Sequence, residues 1–240
     1  MKPTTAMVLA AGHGTRMRPL TADTPKPLLP VLGTPLIDWT LDRLAAAGIE
    51  RVVVNAHHLA DLLEQHVSAR TRPAITVVRE PELLDTGGAL VNARAQFGDE
   101  PFYVVNGDVL WLDGVTPALT RLANAWKDSH TDAVLLTAPT ARAYGYHGAG
   151  DLHLDFVGHV AWRHETEVAP FAYAGVQLLH PRLLDGLAAK PFPITDVLRA
   201  SDRVYGVPHD GLWFHIGTPD DLKRAEAELI DLGFHAPEAA

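Results

Sequence analysis

Short apolar, β-branched runs alternate with stretches of helical spacing over more than half of this chain, and that alternation restricts its fold more than any other feature. Strand-like runs fall at 7–11, 51–55, 74–79, 101–106 and 132–137. Helical stretches fall between them, at 35–47, 59–67, 87–97 and 117–125. In the first of these, Leu36, Ile37, Leu41 and Leu44 share one face and Gly48 ends the helix. Strands alternating with helices predict an α/β fold, a mixed and mostly parallel sheet with helices on both faces. Residues 140–170 change character, being rich in Gly, His, Asp and Tyr with only short apolar pieces such as 152–157. They predict hairpins or loops over the open end of the sheet. Residues 171–179 read as strand again, and 219–232 as a helix with Thr218 as N-cap, Pro219 in the first turn and Gly233 as the stop. Without repeats, low-complexity stretches or a flexible linker, the economical organisation is one unit with an inserted subregion.

Charge and composition narrow the partners. The chain has no cysteine, which excludes disulfides and thiolate metal sites. The N-terminus lacks the pattern of a signal peptide, and no apolar stretch approaches the roughly 20 residues that span a bilayer. A cytoplasmic protein without a membrane partner is the expectation. The net charge of −9 argues against a general nucleic-acid binder. Residues 1–35 nevertheless carry Lys2, Arg16, Arg18 and Lys26 against Asp23 alone. A small basic focus on an acidic body suits a small anionic ligand.

That focus lies in LAAGHGTRMRPLTADTPKPLLPV, residues 9–31, directly after the first strand-like run. Gly12 and Gly14 allow a tight turn and a close backbone approach to a ligand. Backbone N–H groups after a strand can then face phosphate oxygens. The dinucleotide fingerprint is excluded, because Met17 stands where its third glycine should be. A P-loop is excluded as well, since no Gly-Lys-Ser or Gly-Lys-Thr follows. Arg16 and Lys26 supply the fixed positive charge that phosphoryl transfer needs, and Pro25 and Pro27 restrict the backbone that aims Lys26. Asp108 closes an apolar strand in Asn106-Gly107-Asp108, where an α/β sheet places ligands, and a carboxylate there is a good ligand for a hard metal.

The 9–31 motif resembles the signature of the sugar-1-phosphate nucleotidyltransferases. The similarity continues at Thr86-Gly87-Gly88-Ala89, Val105-Asn106-Gly107-Asp108, 171–175 and 213–219, so it covers nearly the whole chain. The resemblance implies the Rossmann-like nucleotide-diphospho-sugar transferase fold in a single domain, with a nucleotide-binding half at about 1–138 and a sugar-binding subregion at about 139–215. It implies the synthesis of a nucleotide sugar from an NTP and a sugar 1-phosphate, with release of pyrophosphate. Arg16 and Lys26 would be the catalytic cations, acting on the triphosphate and on the α- or sugar phosphate. Leu9, Ala10, Ala11, Gly12, Gly14, Thr15, Glu80, Gly87 and Asn106 would bind the nucleotide. Gly145, Phe171 and Gly175 would border the sugar, and Asp108 would hold Mg²⁺. Overall similarity points to UTP and N-acetylmuramate 1-phosphate, as in cell-wall recycling, with GTP and mannose 1-phosphate as the rival pair. A catalytically silent binding protein of the same fold is the other class. A monomer is the expected state.

One position departs from the family pattern. His215 in Trp213-Phe214-His215-Ile216-Gly217-Thr218-Pro219 stands where a second metal carboxylate is expected. Three arrangements stay open: Asp108 and substrate phosphates hold Mg²⁺ alone, His215 is a ligand that shifts preference toward Mn²⁺ or Co²⁺, or His215 bonds a phosphate directly. Among other candidates, His57 and His58 read as surface or rim residues without a third ligand, and His147, His153, His159 and His164 are too scattered for one site. Trp126 and Trp162 read as packing residues, Trp213 as support for the His215 turn, and Asp196 as a helix cap.

Overall fold

A computed structural model describes residues 2–127 and 130–235. Five strands alternate with four helices along the first part of the chain: β1 (Thr5–Leu9), α1 (Leu36–Ala46), β4 (Arg51–Ala56), α2 (Ala60–Ser68), β5 (Ala74–Arg79), α3 (Asp85–Asn92), β6 (Phe102–Asn106), α4 (Ala118–Ala125) and β8 (Ala133–Pro139). The short pair β2 (Pro30–Val31) and β3 (Thr34–Pro35) precedes α1. Further along come β7 (Leu110–Leu112), β9 (Ala143–Tyr144), β10 (Leu152–Leu154), β11 (Val160–Trp162), β12 (Phe171–Leu179), α5 (Ile194–Ala200), β13 (Val204–Pro208), β14 (Leu212–Phe214) and α6 (Pro219–Asp231).

The main sheet runs β5-β4-β1-β6-β12-β8-β13, with the β10–β11 hairpin added beside the start of β12. β5, β4, β1 and β6 are mutually parallel, and β13 is parallel to β8. β12 runs against both of its long neighbours, β6 and β8. The sheet is therefore mixed and mostly parallel. Its two faces are covered separately. Ala6, Val8, Val52 and Val54 point to one face, with Ile37 and Leu41 of α1, Leu63 of α2 and Leu122 of α4. Met7, Val53 and Val104 point to the other, with Leu90 of α3 and Ile194 and Leu198 of α5. A strand buried on both faces needs apolar side chains at successive positions, which is why β1 and β4 read as continuous apolar runs.

Several boundaries move for identifiable reasons. The first strand ends at Leu9 rather than at residue 11, because the Ala10 N–H leaves the ladder for the Asn55 side chain. The third helix starts at Asp85 and ends at Asn92, followed by a separate 3₁₀ turn at Arg94–Gln96. Its glycines are steric necessities: a Cβ at Gly87 would lie 2.2 Å from the Phe192 ring, and one at Gly88 would lie 2.1 Å from the Lys190 carbonyl oxygen. Edge strand β13 contains Gly206 and ends in Pro208, so it lacks an obvious strand signature. The Gly206 position is tight, since a Cβ there would lie 2.5 Å from Leu154 of the neighbouring hairpin. Asp196 does not cap α5: it lies inside the first turn, and Pro193 holds the cap position without a side-chain bond. Thr218 does cap α6, accepting from the Asp221 N–H at 3.2 Å, with Pro219 next in the helix. Trp126 is buried, whereas Trp162 is half-buried and carries the Arg199 guanidinium 4.6 Å from its ring. No helix among the described residues is long and apolar enough to cross a membrane.

His209 is buried in this fold, and burial holds its imidazole below the usual range despite a bond to the Leu112 carbonyl. Burial, then the Arg182 guanidinium, does the same to His180. Both are thus kept neutral in the native state, while the unfolded chain protonates them near their ordinary value. The stability they contribute is present above about pH 6.5 and is lost as pH falls through that region. Thermal melts should show a lower midpoint at about pH 5 than at about pH 7.5, and His209→Gln should narrow that gap.

Candidate active site

The carboxyl ends of β4, β1 and β6 lie side by side. Leu9 pairs with Asn55 on one flank and with Asn106 on the other, so three strand ends form one row. Between β1 and β6 the direction of chain winding reverses, which leaves a crevice where loops part to either side. A cleft of about 580 Å³ opens there. Leu9, Ala10, Ala11, Gly12, Gly14, Thr15, Arg16, Lys26, Asn106 and Asp108 line it, together with Asn55, Leu83, Asp85, Thr86, Pro191 and Gly217.

The loop after β1 is held from below. The Gly107 N–H donates to the Leu9 carbonyl at 2.8 Å, and Asn55 Oδ1 accepts the Ala10 N–H at 2.7 Å. Gly14 adopts φ +60°, and a Cβ there would lie 3.0 Å from both the Lys26 Cβ and the Thr21 Cγ2. Gly12 is different, because a Cβ there would meet nothing within 4 Å. Its side of the loop faces open space. Met17, which excludes the dinucleotide fingerprint, is fully buried with Leu110, Phe214 and Ile216. It anchors the 3₁₀ turn Thr15–Met17 and leaves Arg16 exposed beside the cleft.

Lys26 is buried between Pro25 and Pro27, and its Nζ lies 2.6 Å from Asp108 Oδ2. The lysine side chain is 9% exposed and the aspartate 39%, so the pair spans the boundary between protein and cleft. His215 reaches the same region through pairing that the sequence does not advertise. β14 lies between β7 and β9 in a small separate sheet, with Phe214 opposite Leu110. Asp108 precedes β7 and His215 follows β14, so this register brings them together. The His215 N–H donates to the Tyr144 carbonyl at 2.8 Å, and its ring packs against Tyr146 and Trp213. A Cβ at Gly217 would lie 2.8 Å from His215 Nε2 and 3.4 Å from Arg16 Nη1. Burial, then the charges of Arg16 and Lys26, hold the His215 imidazole below its usual range, so it is neutral at neutral pH.

Other sequence candidates fall around this centre. Glu80 does not line the cleft. It is 4% exposed, and its two carboxylate oxygens accept from Asn55 Nδ2 at 2.7 Å and from the Leu84 N–H at 3.1 Å. Gly87 lies behind Asp85 and Thr86, its N–H donating to the Phe192 carbonyl at 2.9 Å. Gly175 sits at a bulge of β12 with φ +75°, where a Cβ would crowd Val109 and the Asn106 side chain. Gly145 has φ +71° and packs on the His215 carbonyl. Phe171 is half-buried with Leu154, Trp162 and Tyr173, outside the cleft lining. His57 and His58 both contact the His13 ring, at centroid distances of 5.5 and 5.2 Å. Among the described residues, no group of three His, Asp or Glu side chains could hold a metal. Two features escape sequence reading. One is Asn55; the other is the segment at 190–193, which puts Pro191 on the cleft wall and packs Phe192 on the Gly87 turn.

The chain matches the Nucleotidyl transferase family model over residues 5–157. It is 42% identical to the N-acetylmuramate alpha-1-phosphate uridylyltransferase of Caulobacter vibrioides over 95% of this chain and 98% of that one. It is 30% identical to the mannose-1-phosphate guanylyltransferase of Mycobacterium tuberculosis over 94% of this chain and 64% of that one. The solved structure of the inositol-1-phosphate CTP transferase from T. maritima shares the fold, with a TM-score of 0.78, 18% identity and 96% of each chain covered.

The two loop glycines separate stability from access. Gly14→Ala should destabilise the protein by about 1–2 kcal/mol, through its left-handed backbone and the crowding of Lys26 and Thr21. Gly12→Ala should stay within about 0.5 kcal/mol of the parent in chemical denaturation.

Proposed function

The chain belongs to the sugar-1-phosphate nucleotidyltransferases, and from that membership we propose that it joins UTP to N-acetylmuramate 1-phosphate, forming the UDP-sugar and pyrophosphate. The observation that carries the reaction is the meeting of Arg16, Lys26 and Asp108 in one cleft, beside a backbone loop open at Gly12. Near-complete coverage at 42% identity by a uridylyltransferase for this sugar supports the substrate pair. The mannose-1-phosphate guanylyltransferase relative makes GTP with mannose 1-phosphate the second pair to test.

Charge dictates the mechanism. A sugar phosphate oxygen is already anionic at neutral pH, so the attack on the α-phosphorus needs no general base. The obstacle is bringing two anions together. Arg16, exposed at the loop, would hold the β- and γ-phosphates and stabilise the departing pyrophosphate. Lys26 would bridge the attacking phosphate and the α-phosphate, on a backbone restricted by its flanking prolines. The loop from Leu9 to Thr15 and the Asn106 side chain would border the nucleoside, while Gly145 and Gly175 shape the turns on the sugar side. The nucleotide would occupy the half at about 1–138 and the sugar the subregion at about 139–215. Fixed cations in a partly desolvated cleft stabilise the transferring phosphoryl group without reorganisation.

A divalent cation fits this site when substrate completes its shell. Asp108 offers one carboxylate at the cleft, its Oδ2 shared with Lys26, and no protein cluster supplies three ligands among the described residues. That donor set suits Mg²⁺, which binds through one or two carboxylates plus phosphate oxygens and water. When bound, the ion would neutralise charge on the α-phosphate. His215, neutral and close to Arg16, would donate to a phosphate oxygen or add a nitrogen ligand that favours Mn²⁺ or Co²⁺. Cell-wall recycling in the cytoplasm, by a monomer without nucleic-acid or membrane partners, is the setting that goes with this reading.

Pyrophosphate release, measured for four NTPs against several sugar 1-phosphates, tests the proposal. The UTP and N-acetylmuramate 1-phosphate pair should turn over fastest. Binding without release would make the chain a silent member of its family. Arg16→Ala and Lys26→Ala should each lower kcat by about 10²–10³ while the protein stays folded. Near-parental turnover in either variant would remove that residue from the mechanism. His215→Asp should shift the preferred metal toward Mg²⁺; an unchanged metal profile would remove His215 from the metal's ligands.

A further inference from the structure

Asn55 is 3% exposed, yet it forms part of the cleft wall. Two buried bonds define how its amide is turned. Oδ1 accepts the Ala10 N–H at 2.7 Å, and Nδ2 donates to Glu80 Oε1 at 2.7 Å. Flipping the amide would set an NH₂ against an N–H and a carbonyl oxygen against a carboxylate, so the observed orientation is the only satisfied one. Glu80 is anchored in turn by the Leu84 N–H at 3.1 Å. The amide nitrogen carries two hydrogens, and Glu80 takes one.

We propose that Asn55 is a specificity-determining residue that offers its second amide hydrogen to the nucleotide base and so selects a keto oxygen over an amino group. The inference rests on the nucleotidyltransferase reading. Uracil and guanine present a carbonyl oxygen where cytosine and adenine present an NH₂ group. A fixed donor facing an amino group leaves two donors opposed and unpaired, and a site built to hydrogen-bond its substrate rejects such a mismatch strongly. The side chain cannot turn to accommodate the wrong base without breaking its bonds to Ala10 and Glu80. The base preference is thereby tied to the same bonds that join the loop after β1 to β4 and to buried Glu80.

The decisive variant is the exchanged pair Asn55→Asp with Glu80→Gln. It preserves net charge, and every buried bond can be remade. The new carboxylate accepts from the Ala10 N–H and from the new amide, whose oxygen accepts from the Leu84 N–H. Only the unbonded position of residue 55 changes, from donor to acceptor. Titration calorimetry with UTP, CTP, GTP and ATP should show UTP binding weakened about tenfold or more, and the CTP-to-UTP affinity ratio raised by at least as much. A purely structural role for the pair would survive the exchange, so the parental ratio in the folded variant would overturn the proposal. Parent protein that binds no NTP would instead overturn the nucleotidyltransferase reading. Should the exchanged pair fail to fold, the parent is titrated with 4-thio-UTP and 2-thio-UTP, in which sulfur, a poor acceptor, replaces one keto oxygen at a time. Several-fold weaker binding of 4-thio-UTP, with 2-thio-UTP bound like UTP, supports the assignment, and parental affinity for 4-thio-UTP overturns it.

Discussion

The placement of β1 between β4 and β6 is the constraint on which this molecule turns. Its side chains are buried on both faces, and its backbone is bonded on both edges. Leu9 is therefore delivered to a fixed point beside Asn55 and Asn106. Everything chemical follows from that point. The loop leaves the sheet because Ala10 bonds to a side chain rather than to a neighbouring strand. The Gly107 N–H on the Leu9 carbonyl keeps the Asn106–Asp108 turn against it. A central parallel strand cannot slip without moving its whole apolar set to the wrong face, so the register fixes where these loops leave the sheet.

Charge is balanced at the same place. Lys26 is nearly enclosed, and a buried ammonium needs a partner to offset its lost hydration. The carboxylate of Asp108 pairs with it while remaining partly open to the cleft. The two residues thus satisfy each other, and under the proposed function an incoming phosphate or cation would redistribute this ion pair. Arg16 lies on the exposed side of the loop, anchored through buried Met17. His215, kept neutral by burial and by both cations, adds no further positive charge.

Much of this was legible in the residues. The strand at 74–79 and the strand at 171–179 have the boundaries that their sequence suggests, because β-branched and apolar runs with clear turns leave little choice. Gly14, Arg16, Lys26 and Asp108 announce themselves through local chemistry. The parts that did not are those made by distant pairing. The resemblance implies that Glu80 meets the nucleotide, but its carboxylate oxygens lie below the surface, bonded to Asn55 and the Leu84 N–H. Phe171 and Gly87 lie beside the site without lining it. α5 and β13 are short, with Pro and Gly at or near their ends, and they exist because α3 and β8 offer surfaces to cover.

The sequence by itself determined the α/β class and marked the glycine loop after the first strand with its cations, because hydrophobic period, glycine freedom and fixed charge are local properties. It also marked His215 as a departure from the family pattern. Only the tertiary structure decided where that histidine stands, since its approach to Arg16 and Asp108 depends on Phe214 pairing with Leu110 in a sheet of three short strands. It alone turned Asn55 from an ordinary strand residue into an oriented donor. An amide's direction is set by its partners, and Ala10 and Glu80 reach it from separate segments of the chain.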